Sequence, residues 1–162
     1  MSYPIAAFAV AEAGEVPAGR YYVGNDQWFL SVDANQGQPG GMSAVCLTGE
    51  STGTFIPNPQ GTVTYISRAW GVEIRVKNFH ETVDHQDGPL QGALMMGTFP
   101  TIYARHGHGY RLITLDGQLS NGQGIAASRR RFLAWDVWLV DLDGKREADA
   151  PLFSVQAVAN DQ

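Results

Sequence analysis

The sequence predicts an all-β fold: a single antiparallel β-barrel or closed β-sandwich of about eight to ten strands. Three observations lead there. Nineteen glycines and eight prolines cut the chain into short runs rich in Val, Ile, Thr, Tyr, Phe and Trp, the punctuation of sheet proteins. Val72, Ile74 and Val76 alternate strictly with Glu73, Arg75 and Lys77, which sets one face of a strand on a core and the other in water. No run carries a long amphipathic helical period. The 162 residues are read as one domain, 1–162, fraying from about residue 160.

The elements follow in chain order. Residues 4–11, apolar and rich in small side chains, read as a first strand. They lack the basic leader of a signal peptide, so a cytoplasmic location is the default expectation. Strands are then expected at 21–23, 28–32, 42–48 and 62–66. The alternating run 70–79 is the clearest; runs at 90–99, 101–105 and 110–115 come after it. Residues 132–142 are apolar on both parities, as in a central strand buried on both faces. A helix competes only within 125–142, where Ala126, Ala127 and three arginines tolerate one. A last strand covers 152–158. Gly24-Asn25, Asp116-Gly117, Asn121-Gly122 and Asp143-Gly144 supply the positive φ that tight hairpins need.

A net charge of −5 opposes a nucleic-acid partner, which needs a net basic face. No run approaches the roughly 20 apolar residues of a membrane span. Cys46 is the single cysteine, so no intramolecular disulfide forms; its apolar neighbours suggest a buried, inert thiol. Arg129, Arg130 and Arg131 read as a solvated strand edge or loop, with an anion site as the alternative.

Three constellations are able to carry chemistry. The four histidines lie between Phe79 and Gly109. His106 and His108, two apart, would chelate one ion from the same face of a strand, with His80, His85, Glu81, Asp84 and Asp87 completing a shell. Polar loop histidines are the plainer reading, and no cofactor is implied. Asp136 sits in the most apolar run, beside Trp135 and sharing a strand face with Trp138. It reads as a structural carboxylate held by a partner, or as an acid in an apolar cavity. The aromatic set suggests a cavity lined by Trp28, Trp70, Tyr110 and Trp138, with Asp136 as polar anchor. The polar, turn-rich loops at 33–41, 57–61 and 80–89 are places where binding residues often sit. Nucleophile elbows, P-loops and paired C-x-x-C motifs do not occur.

Some segments resemble the avidin family of eight-stranded, calycin-type barrels. Gly19-Arg20-Tyr21-Tyr22 is similar to the family's opening G-x-W-Y strand. Residues 71–78 are similar to G-W-x-V-x-W-K-N, and Leu90-Gln91-Gly92-Ala93-Leu94 falls where W-S-G-Q-Y would be. Ala104-Arg105 followed by Tyr110-Arg111-Leu112-Ile113-Thr114 resembles A-R-x-x-x-x-W-x-L-x-[ST]. The resemblance implies a barrel around a small ligand. The family's biotin-contacting tryptophans would fall at Val76, Leu90 and Tyr110, and Asp136 would stand for its ligand-bonding aspartate. Those departures carry the barrel further than they carry biotin binding.

The function expected is non-catalytic binding of a small, partly apolar ligand or a glycan. One alternative is a small barrel enzyme, with or without a metal, using His80, His85, His106, His108 and Asp136. The other is a structural or assembly module, of phage or virion type or one that builds a homo-oligomer.

Overall fold

The computed structural model describes residues 2–81, 90–121 and 130–158. Among them the chain is all-β, with two antiparallel sheets and two single-turn 3-10 segments, Ile5–Ala7 and Ala13–Glu15. The first sheet holds β1 (Phe8–Glu12), β2 (Tyr21–Gly24), β3 (Gln27–Val32), β4 (Ser43–Cys46), β5 (Phe55–Ile56) and β6 (Thr62–Ile66). Their spatial order is β1-β6-β2-β3-β4-β5. The second holds β7 (Gly71–Glu81), β8 (Leu94–Met95), β9 (Thr101–His106), β10 (Gly109–Thr114), β11 (Leu119–Ser120), β12 (Arg130–Val140) and β13 (Phe153–Gln156). Its order is β11-β10-β9-β8-β12-β13, with β7 also on β12. Phe132 pairs with both Phe79 and Leu94, so β7 occupies the edge of β12 opposite β8 and β13. One of the sheets curls into a half-barrel. No described helix is long and apolar enough to cross a membrane.

Alternation sorts the side chains. On β12, Trp135, Val137 and Leu139 enter the core between the sheets, while Asp136 and Trp138 face the other way. Val72 and Ile74 of β7 pack on that core; Glu73, Arg75 and Lys77 lie on the opposite face. Leu30, Val32, Val45 and Phe55 supply the first sheet's share. Each such large side chain contributes about 1.5–3 kcal/mol on burial. The first sheet also buries its second face, where Ala13 and Val16 cover Tyr22, Ala44 and Val63. Burial makes the Tyr21 and Tyr22 phenols harder to ionise. It raises the Cys46 thiol too, and this fully buried thiol donates to the Thr48 carbonyl at 3.2 Å.

Several expectations change. The strand expected at 90–99 shrinks to Leu94–Met95, because Gly92 turns at φ 81 and Ala93 N–H closes a turn onto Leu90. The two-residue strands β5 and β11 leave no mark in the sequence, because at that length no period exists to read. The first strand starts later, at Phe8, behind the 3-10 turn. An up-and-down barrel pairs each strand with the next; here β6 lies between β1 and β2.

Two close backbone approaches join the sheets. Arg105 N–H bonds the Gly53 carbonyl at 2.7 Å, and Asp33 N–H bonds the Gly117 carbonyl at 2.8 Å. Gly53 (φ 80) lies so near Gly92 that a Cβ would sit 2.3 Å from its nitrogen. Gly117 (φ 78) would place one 2.3 Å from the Ser31 carbonyl oxygen. Only glycine meets both demands, a left-handed backbone and no side chain.

Candidate functional site

Between those two junctions the sheets part. A cleft of about 1440 Å³ opens between the 33–41 loop and β5 on one wall and the β9–β10 hairpin with β11 on the other. Its floor continues the core face of β9. Ile102 and Ala104 are buried, and His106, next on that face, packs edge-on against Phe55 with ring centroids 5.0 Å apart. Gly109 and Arg111 pair with His106 and Ala104, so the arginine shares this face of the hairpin. The rim carries Tyr110, 55% exposed, with its ring stacked on buried Tyr103 at 5.1 Å and 23°. Phe99, 68% exposed, stands on the same cleft.

Polar groups complete the lining: Asn35, Asn58, Asp116 and Gln118 among them. Several are already positioned. The Asn35 side chain donates to the Gly41 carbonyl at 2.8 Å, and its own N–H is held by Asp33 at 3.1 Å. Thr114 Oγ1 donates to the Asp116 carboxylate and receives the Gln118 N–H at 3.0 Å. The site is therefore a cleft whose lining combines exposed aromatic rings with polar side chains, of which Asn35 and Asp116 are held by hydrogen bonds.

The structure distributes the residues expected to act together. Tyr110 and His106 line the cleft; Trp28, Trp70, Asp136 and Trp138 do not. Trp28, half-buried and stacked on Phe153 at 4.7 Å, packs against the core, and so does Trp70. Asp136 is buried on the outer face of β12, where it accepts from Ser154 Oγ at 2.6 Å and pairs with Lys77 Nζ at 2.8 Å. Trp138 shares that face, under the Arg146 guanidinium at 4.3 Å. A single cavity with Asp136 as anchor is not what the register builds, because β12 sends odd and even residues to opposite faces. Of the positions matching the avidin tryptophans, Tyr110 lies in the cleft, Val76 is half-exposed on β7, and Leu90 is half-buried outside the cleft.

His106 and His108 do not flank one another on a strand. Gly107 (φ 61) and His108 are the two-residue turn of the β9–β10 hairpin. No group of three described His, Cys, Asp or Glu side chains is arranged to hold a metal. His85, with Asp84 and Asp87, lies outside the described residues, as do the side chains of His80 and Glu81. Arg130 and Arg131 belong to β12, between β7 and β8, rather than to a loop; Arg129 lies outside the described residues.

Protein-family models, curated proteins and solved structures give no match to this chain.

Proposed function

We propose that the protein is a non-catalytic binding domain that takes a glycan along the cleft between its sheets. The observation that carries this reading is the exposed Tyr110 ring, stacked on Tyr103, at a cleft that Asn35, Asn58, Asp116 and Gln118 also line. Sugars present apolar C–H faces that lie on aromatic rings and hydroxyls that bond amides and carboxylates. Size supports an extended ligand. The cleft, at about 1440 Å³, exceeds the roughly 300–1,000 Å³ of ordinary small-molecule pockets. A chain of several sugar rings fills such a groove better than one ring does. The two glycine junctions hold the walls in place, so little ordering is left to oppose binding.

An oligosaccharide array followed by calorimetry tests the reading. A saccharide that binds the native protein is expected to lose about thirtyfold in affinity with Tyr110→Ala, the ~2 kcal/mol of a buried aromatic anchor. Tyr110 is exposed, so the variant folds. Folded protein that binds no saccharide on the array contradicts the proposal.

A further inference from the structure

We propose that the outer edge of β7 is a self-association surface, on which a second copy of this chain pairs antiparallel to form one continuous sheet across a two-fold axis. Among the described strands, β7 pairs with β12 alone, and it runs eleven residues from Gly71 to Glu81. That length is unusual for an edge. Natural edge strands are kept short or carry charges on the inward face. Over residues 71–77 the inward face of β7 has only Val72, Ile74 and Val76, and Val76 is left 46% exposed.

Charge pattern selects both the partner and the register. A two-fold axis normal to the sheet sets residue n + k opposite residue n − k. Centred on Ile74, it places Glu73 opposite Arg75 of the second copy, and Arg75 opposite Glu73. On the inward face Val72 then meets Val76, and Ile74 meets Ile74. Every cross-strand pair from Val72 to Val76 is favourable. Shifting the centre to Glu73 or Arg75 sets like charges directly opposite. Shifting it to Val76 sets Arg75 against Lys77. The charges lie on the outer face, so they steer the register without blocking the approach. Within one chain Glu73 already holds Arg75 at 2.8 Å and Arg146 at 2.9 Å; the pairing adds the second copy's Arg75 beside it.

Sedimentation velocity on the full chain tests this, with circular dichroism checking the fold of each variant. The native protein is expected to dimerise. Glu73→Arg and Arg75→Glu each set like charges across the axis and weaken the dimer by about tenfold or more. Mixing the two variants makes every cross-axis charge pair opposite again, so a mixed dimer forms, detectable by native mass spectrometry. Val76→Lys changes a half-exposed side chain and is a second route to dissociation if Glu73→Arg misfolds. A native chain that stays monomeric to its solubility limit overturns the proposal. So does a dimer indifferent to Val76→Lys, or folded charge variants that fail to pair on mixing.

Discussion

Glu73 is held by three hydrogen bonds. Arg146 donates Nη2 at 2.9 Å and Nε at 3.2 Å, and Arg75 donates Nε at 2.8 Å. Arg146 first, and Arg75 after it, bring the Glu73 carboxyl down to about 2 from an ordinary 4.5. A carboxyl with a lowered folded value stabilises the fold above the unfolded value, and that contribution disappears as pH falls through the folded one. The Tm of the native protein is therefore expected to exceed that of Glu73→Gln at neutral pH. The gap should close between pH 4.5 and about 2, as thermal melts across that window would show. A gap that stays constant through the window contradicts the assignment. Asp136 gives a second prediction. Its carboxylate is tied to Ser154 and Lys77 on the outer face, away from the cleft. Asp136→Ala should cost about 1–3 kcal/mol in denaturant unfolding, the value of a lost buried hydrogen bond, and leave saccharide affinity unchanged. Lys77 is 48% exposed, so the ion pair itself adds little. The sequence shows that Asp136 and Trp138 share a face. It does not show that β7 and β13 bring a cation and a hydroxyl to that aspartate, because those neighbours are about 59 and 18 positions away in the chain.

At the scale of elements, legibility follows period and length. β6 lies where its run was read, and β7 and β12 lie within two residues of theirs, since each alternates or stays apolar for five residues or more. Asp116-Gly117 and Asp143-Gly144 were readable as turns, with Gly117 and Gly144 at φ 78 and 77. The β2–β3 turn is Asn25-Asp26, one residue on from Gly24-Asn25. Asn121-Gly122 extends outside the described residues, and the Gly107-His108 turn interrupts what read as strand. The segment 90–99 was not readable, because Gly92 serves a tertiary contact with Gly53 rather than a strand. That contact makes a prediction of its own. Gly53→Ala and Gly117→Ala each force a side chain against backbone at positive φ. Each should destabilise by about 2–4 kcal/mol in chemical denaturation. Gly37, also at positive φ but with open space around it, should cost about 1–2 kcal/mol on the same change, the backbone strain alone. Equal costs at all three sites would mean that the sheets are not clamped where the geometry places them.

For the whole molecule, composition and punctuation reveal the all-β class but not the order of strands, which long-range pairing decides. The insertion of β6 between β1 and β2 and the central place of β12 leave no local mark. The cleft was half legible. The loops 33–41 and 57–61 stand out as polar and turn-rich, and residues from both line it. Phe99, Arg111 and Gln118 carry no motif and join only because the two sheets part there. Tyr110, a candidate aromatic in the sequence, is among the residues that line the cleft. The most direct measurement is a chemical-shift titration of isotope-labelled protein with the tightest saccharide from the array. Shifts are expected to be confined to the cleft, at Tyr110, Phe99, His106 and the 33–41 loop. Shifts clustered instead on the outer face of β12, around Asp136 and Trp138, would contradict it.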